Sequence, residues 1–214
     1  MQVSALGTSA LAVATGGYHT CAVKKDGTLW CWGRNADGEL GDGTTQSKSS
    51  PVQVSALGTS ALAVAAGGYH TCAVKAGGTL WCWGNNEYGQ LGDGTTQDET
   101  SPVQVSVLGT SALAVAGGQA HTCAVKAGGT LWCWGRNANG QLGDGTTQDK
   151  TSPVQVPALG TSALAVAAGN DHTCAVKAGG TLWCWGNNEY GQLGDGTTQK
   201  KLSPVQVTAL GGCQ

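Results

Sequence analysis

The residues of this 214-residue chain that could carry chemistry are its cysteines and histidines, which recur in a fixed pattern. A His-Thr-Cys string occurs once in each of four segments, and a second cysteine follows ten residues after the first. Imidazole and thiolate are ligands of zinc. However, a His and a Cys two residues apart on a strand share one face without completing a tetrahedral set, and no Cys-x-x-Cys occurs. We therefore predict no metal site and a structural role for the histidines, which are His19, His70, His121 and His172.

Catalytic chemistry is not indicated either. The Gly-rich stretches contain no phosphate-binding loop and no Gly-x-Ser-x-Gly elbow. The repeated Leu-Gly-Asp-Gly-Thr-Thr string offers a single carboxylate per loop, which is too few for a calcium site. Its aspartates are Asp42, Asp93, Asp144 and Asp195. We predict a protein that is not an enzyme and that needs no cofactor.

The cysteine spacing is compatible with disulfides across a hairpin. If residues 25–27 form a three-residue loop, Lys24 faces Thr28 and Cys21 faces Cys31 in the closer, non-hydrogen-bonded kind of pair. That distance makes a disulfide feasible. The alternative is eight reduced thiols buried in the core, which is common for free cysteine. The candidate residues are Cys21, Cys31, Cys72, Cys82, Cys123, Cys133, Cys174 and Cys184.

A period of 51 residues organises the elements that must position these side chains. The chain divides into repeats 4–54, 55–105, 106–156 and 157–207, and residues 208–214 overlap with the opening of a further copy. We treat residues 1–214 as a single domain. The near-identity of the copies indicates recent amplification or a designed, engineered origin, and the sequence does not separate the two.

Each repeat contains four short β-rich segments and no helical pattern. In the second repeat they are residues 61–66, 70–74, 79–83 and 102–105, separated by Gly-rich turns. Four antiparallel strands at a period of about 40–50 residues are typical of a propeller blade. The predicted fold is an all-β propeller with four four-stranded antiparallel blades in the chain. Small alanines suit the innermost strand, and the tryptophans suit the surfaces where blades meet.

Gly-x-x-His-Thr, followed by Leu-Trp-x-Trp-Gly-x-Asn-x-x-Gly-Gln-Leu-Gly, resembles the regulator of chromosome condensation repeat. The second copy carries it at residues 67–71, 83–86 and 89–92, and Glu39 replaces the Gln in the first copy. The resemblance implies a β-propeller. It implies less about function, because members include a GTPase exchange factor that docks on nucleosomes, an ultraviolet-B photoreceptor, secreted β-lactamase inhibitors and ubiquitin-ligase subunits.

The chain departs from that family in blade number, tail and turns. The family usually has seven blades, and its nucleosome-binding members carry a basic tail that is absent here. The turns before His-Thr lack the photoreceptor's Trp and Arg and read 17–18 Gly-Tyr, 68–69 Gly-Tyr, 119–120 Gln-Ala and 170–171 Asn-Asp. Four blades would close a ring only at about twice the angle of an eight-bladed one. We therefore expect a homodimer that closes a ring of eight, with an open assembly or a monomeric ring of four as alternatives.

Charge and hydropathy limit the partners. The net charge is −2 and 11% of residues are charged, which argues against nucleic acid. No apolar run is long enough to span a membrane. Residues 1–4 lack the basic and apolar regions of a signal peptide, so none is expected. Paired cysteines would suit an oxidising compartment, but the sequence assigns no location.

Differences among the copies gather in the connections that a four-strand meander places on one side of the disc. They predict either a partner-binding face or drift at unconstrained positions. The predicted function is a non-enzymatic scaffold or protein-interaction module. Alternatives are an exchange factor for a small GTPase, which the lack of any insertion disfavours, and a secreted inhibitor-like propeller. The candidate face residues are Tyr18, Arg34, Asp37, Glu39, Tyr69, Glu87, Tyr88, Arg136, Glu189, Tyr190, Lys200 and Lys201.

Overall fold

The structure, a computed structural model, describes residue 3 and residues 6–208. The expected overlap beyond residue 208 and the terminal Cys213 lie outside this part. Each repeat forms one four-stranded antiparallel sheet whose strands pair in chain order. The strands are β1 (Ala10–Thr15), β2 (His19–Lys24), β3 (Leu29–Gly33), β4 (Lys48–Gln53), β5 (Ala61–Ala66), β6 (His70–Lys75), β7 (Leu80–Gly84), β8 (Glu99–Gln104), β9 (Ala112–Gly117), β10 (His121–Lys126), β11 (Leu131–Gly135), β12 (Lys150–Gln155), β13 (Ala163–Ala168), β14 (His172–Lys177), β15 (Leu182–Gly186) and β16 (Lys201–Gln206).

The four sheets confirm the predicted blades. Short 3-10 turns at Ser55–Leu57, Ser106–Leu108 and Pro157–Leu159 link one blade to the next. The fourth strand of the second blade starts at Glu99, earlier than the predicted residue 102, because Gly84 pairs with Glu99 beyond an irregularity in the ladder. Proline thus lies within this outermost strand, whose free edge does not need its N–H.

The hairpin between the second and third strands sets the register of each blade. Gly27 closes the loop at φ +77°, a conformation that favours glycine. Val23 then pairs with Leu29, and Cys21 lies opposite Cys31 with Cα atoms 4.1 Å apart. All four hairpins repeat this geometry and hold a disulfide, which confirms the paired-cysteine interpretation.

The innermost strands carry a β-bulge that the alternating pattern did not reveal. In β5, Ala61 pairs with Lys75 and Ala63 pairs with Val74, so Leu62 is the extra residue between them. Leu62 is 58% exposed although its blade has neighbours on both sides. A bulge bends an edge strand and re-aims a side chain. The small alanines therefore remain in the ladder, and the larger leucine is displaced from it.

The hydrophobic cores lie between blades rather than within a common centre. The first interface buries the disulfide Cys21–Cys31 and Leu29 of one blade against Trp83 of the next. The same arrangement recurs twice more, with Trp134 and Trp185 in the place of Trp83. The prediction that tryptophans lie where blades face each other is confirmed.

The four blades form an open arc and not a closed ring. The innermost strands β1, β5, β9 and β13 pack only against their neighbours in this order, with no comparable packing of β13 on β1 in the described part of the chain. As a result, Trp32 of the first blade is only partly buried, whereas Trp83 is completely buried. The arc has the two exposed edges expected of an incomplete propeller.

Candidate functional site

The connections that vary among the copies lie together on one side of the arc, as predicted. We call this side the loop face; it consists of residues 16–18 and 34–47 and their equivalents in the other blades. The opposite side is formed by the hairpin loops and the interblade links, where the Ala61 N–H donates to the Gly27 carbonyl at 3.0 Å. The variable connections of the loop face therefore lie on the side opposite to the hairpin side, whose sequence is nearly identical in all four repeats.

A buried asparagine in each blade builds the long connection of the loop face. Asn86 is fully buried and donates from Nδ2 to the Thr95 carbonyl at 3.2 Å, while its Oδ1 accepts from Leu91 N–H at 3.0 Å. Asn35, Asn137 and Asn188 repeat this role. Our sequence analysis missed these residues. Their signal was the Gly-x-Asn string present in every copy, because a buried amide must find hydrogen-bond partners.

The repeated aspartates form turns. Asp93 accepts from the Thr95 N–H at 3.0 Å and also from the Asn86 side chain, so it ties the turn at Thr95 to the buried asparagine. In the fourth blade, hydrogen bonds from the side chain and the backbone of Thr197 lower the pKa of Asp195 to about 2. No cluster of three or more His, Cys, Asp or Glu side chains suited to a metal ion occurs within residues 6–208.

A pocket of about 340 Å³ opens on the loop face between the first three blades. The Arg34 guanidinium lies over the Tyr69 ring, 5.0 Å from its centre, and Arg136 lies over Tyr88 at 5.5 Å. Cation–π contacts of this kind hold both the arginine and the ring in place. The pocket brings together six predicted face residues: Arg34, Asp37, Tyr69, Glu87, Tyr88 and Arg136.

Carboxylates complete the charge pattern of the pocket. Arg34 pairs with Asp37 at 2.7 Å and with Glu39. Hydrogen bonding to Asp37, opposed by partial burial, raises the pKa of the Arg34 guanidinium. Arg136 reaches Asp171 of the fourth blade at 3.3 Å. The two arginines that line the pocket are thus oriented by neighbouring acids.

The other predicted face residues do not share one site. Tyr18 is 66% exposed, and its ring lies 5.9 Å from that of Tyr69 beside the pocket. Tyr190 is 85% exposed and does not line the pocket. Glu189 and Lys200 line a separate depression, and Lys201 pairs with Asp195 at 3.2 Å.

Glu39 requires a correction. Its side chain is only 1% exposed, so it cannot be presented to a partner. One carboxylate oxygen accepts from the Asp37 N–H at 2.9 Å and the other pairs with Arg34. Glu39 therefore holds the Arg34 side chain and the Asp37 backbone in place at the pocket. In the second blade Gln90 holds the backbone of Tyr88 in the same way, by accepting from its N–H at 2.9 Å.

The histidines are structural, as predicted, and their side chains join neighbouring blades. His19 Nε2 lies 2.8 Å from Thr71 Oγ1 of the next blade, and the Thr71 hydroxyl donates to the Glu39 carbonyl at 2.8 Å. Because that hydroxyl proton is used, His19 must donate from Nε2–H. Trp83 Nε1–H donates to the same carbonyl at 2.8 Å. We call this four-part set the interblade relay.

The interblade relay recurs at every junction inside the chain. His70 and Thr122 repeat it at 2.8 Å, and His121 and Thr173 repeat it at 2.9 Å. Burial, followed by the neighbouring histidines, lowers the pKa of His70 and His121 to about 3. Burial and then Arg34 lower the pKa of His19 to about 4. The imidazoles are therefore neutral near pH 7, which suits a structural contact.

Four-stranded blades joined by these contacts define a β-propeller of the chromosome-condensation-regulator type. Residues 13–214 match the RCC1-like domain, and the chain belongs to that family. It is 38% identical over 215 residues to the ultraviolet-B receptor UVR8 of Arabidopsis thaliana, covering 99% of this chain and 49% of the receptor.

Solved structures show the same fold. Human WBSCR16 superposes with a TM-score of 0.84 at 29% identity, over 93% of this chain and 53% of that one. Prp20p of Saccharomyces cerevisiae superposes with a TM-score of 0.83 at 22% identity, over 95% of this chain and 52% of that one. The chain thus spans about half the length of each of these proteins.

Proposed function

We propose that this chain is a non-enzymatic protein-interaction module that presents its loop face to a protein partner. The observation that carries the proposal is the pocket in which Arg34, Arg136, Tyr69 and Tyr88 meet. Tyrosine and arginine are, with tryptophan, the residue types enriched among those that dominate binding energy. Here they are held in fixed orientations, which lowers the entropy lost on binding.

The position of sequence variation supports this assignment. Arg136 and Asp171 belong to the third and fourth repeats, and their contact forms only because these copies differ from the second one. The hairpin side carries almost no such variation. In the same family fold, Prp20p was described together with its binding to Gsp1p and histones. That likeness supports a protein as the partner class, without naming the partner of this chain.

A site-specific crosslinker tests the proposal. A photoreactive residue at position 88 should trap a protein that one at position 127, on the hairpin side, does not. With that protein purified, Tyr88→Ala and Arg136→Ala should each weaken binding about tenfold or more. Lys126→Ala, on the hairpin side, is the matched control. Equal binding by all variants would contradict the proposal.

We also propose that two chains close one eight-bladed ring. The support is the pair of exposed edges, one on the first blade and one on the fourth, whose equivalents are buried at every internal junction. Exposed apolar blade faces favour association. Sedimentation should give about twice the 21.4 kDa mass of the chain. A single species at the monomer mass, even at micromolar concentration, would contradict the ring.

A further inference from the structure

The two open edges of the arc carry the separated halves of one interblade relay. We define the leading edge by Val13, Thr20 and Trp32 of the first blade, and the trailing edge by His172, Val176 and Gln192 of the fourth. At each internal junction, the equivalents of these residues meet: the equivalent of Val13 is partly buried against the hydrophobic core, and the equivalents of the other residues are buried. The edges are therefore complementary surfaces, and not merely exposed ones.

The leading edge offers a hydroxyl and an indole without their usual partners. Thr71 and Trp83 are completely buried and both donate to the Glu39 carbonyl. Their first-blade equivalents, Thr20 and Trp32, are partly exposed, and neither side chain makes a hydrogen bond to any described residue. Val13 is likewise 66% exposed, whereas its equivalent Val64 packs against the core.

The trailing edge offers the matching imidazole and carbonyl. His172 is less buried than the other three histidines, and its Nε2 has no hydrogen-bond partner among residues 6–208. The Gln141 carbonyl accepts from Thr173 and Trp185, whereas no side chain of the described residues donates to the Gln192 carbonyl. Val176 is 36% exposed, whereas its equivalents at the internal junctions are buried.

We infer that the trailing edge of one chain docks on the leading edge of a second copy and completes the interblade relay there. His172 Nε2–H donates to the second copy's Thr20 hydroxyl, and that hydroxyl and the Trp32 indole both donate to the Gln192 carbonyl. The inference rests on the proposed ring closure and specifies its contacts. The same residue types form this interface at all three junctions within the chain, so the junction between two chains would repeat contacts that the fold already makes.

Docking by this relay fixes the orientation of the two chains. A leading edge accepts only a trailing edge, so both junctions of the dimer are equivalent and related by a two-fold axis. The loop faces then lie on the same side of the ring, because each internal junction keeps them on one side. The second copy is thus the occupant of both edges, and the ring presents two copies of the pocket.

Charge placed on the exposed valines tests the complementarity. Val13→Asp disables only the leading edge and Val176→Asp only the trailing edge. Each variant alone should sediment at 21.4 kDa. Their mixture should give a heterodimer at about twice that mass, because one junction between intact edges remains. Single variants that still dimerise, or a mixture that stays monomeric, would overturn the inference.

An isosteric pair separates the relay from general packing. Thr20→Val removes the hydroxyl at the open edge, and Thr71→Val removes its twin at an internal junction. Thr20→Val should weaken dimerisation about tenfold or more while leaving the melting temperature of the monomer unchanged. Thr71→Val should instead lower the melting temperature. Unchanged dimerisation by Thr20→Val would overturn the assigned relay contacts.

Failure of the edge docking can be distinguished from failure of partner binding at the loop face. Tyr88→Ala lies on the loop face and should leave the sedimenting mass unchanged while weakening partner binding. Val13→Asp should change the mass while each monomer keeps its pocket. If the loop-face proposal fails, both Tyr88→Ala and the unaltered chain bind no partner, but the edge variants still report on ring closure.

Discussion

Lowering the pH from about 7.5 to about 4.5 should destabilise the protein through its buried histidines. His70 and His121 donate from Nε2 to threonine hydroxyls, and their unprotonated Nδ1 atoms have no partner in the described structure. Burial lowers the pKa of both from 6.5 to about 3. The unfolded chain therefore takes up protons first as the pH falls, so stability is complete above pH 6.5 and declines down to about pH 3.

The size of the effect follows from these pKa values. At about pH 4.5, the unfolded state gains about 2–3 kcal/mol for each of these histidines, or about 5 kcal/mol for the two. That amount is comparable to the whole free energy of unfolding of many domains, which is about 5–15 kcal/mol. We expect the protein to lose most of its stability in a range where ordinary carboxylates are still ionised.

Urea unfolding followed by tryptophan fluorescence at a series of pH values measures this loss. His70→Gln should lower stability at pH 7.5, because the interblade relay is broken, but should make the pH dependence shallower by about 1.4 kcal/mol per pH unit. His172→Gln is the control when it is made in the Val13→Asp chain, which should stay monomeric, because that side chain then lies at an open edge and is less buried. The contribution of Asp195, whose pKa is about 2, is complete above pH 3.8 and is lost below it.

Two results would refute this reasoning. Stability that stays constant between pH 6.5 and pH 4.5 would show that the histidines are not held neutral by burial. A slope for His70→Gln equal to that of the unaltered chain would show that another group takes up the protons.

Three other changes should alter stability in ways that the structure specifies. Replacing both Cys72 and Cys82 by Ala removes a disulfide whose partners are 10 residues apart; the free energy of unfolding should fall by about 3 kcal/mol, and an unchanged melting temperature would argue against the bridge. Gly92→Ala should cost about 1–3 kcal/mol more in urea than Gly94→Ala, because both have positive φ but a Cβ at position 92 meets an indole nitrogen at 2.5 Å; equal losses would contradict the contact. Asn86→Ala should cost about 2–4 kcal/mol and speed amide exchange across residues 87–98, and unaltered exchange there would count against its role.

Much of the fold could be predicted from local sequence. Three features involve only residues of one repeat: the 51-residue period, the hairpin loop at residues 25–27 and the ten-residue cysteine spacing. Strand pairing in a hairpin is set by the loop, so Cys21 had to face Cys31 once the loop length was known. The side of the disc that carries the variable connections also followed, because a meander of four strands allows no other arrangement.

The candidate site could be predicted only in part. Six of the proposed face residues do line one pocket, but Glu39 is buried and Tyr190 lies elsewhere. The pattern of variation marked the face without indicating which side chains point outward. Asn86 was missed because its polar side chain, read from sequence, looks like an ordinary loop residue.

By itself, the sequence determined the number of blades in this chain, their four strands and the hairpin register that places the two cysteines of each blade opposite each other. Only the tertiary structure decided how the blades meet, since His19 finds Thr71 at a separation of 52 residues and Trp83 finds the Glu39 carbonyl at a separation of 44. Such partners are chosen by the curvature of the arc and by the exclusion of water between neighbouring sheets. Neither the curvature nor the exclusion of water is a property of one local segment. Buried polar groups must be hydrogen-bonded, so these partners are fixed only once neighbouring blades have packed and excluded water.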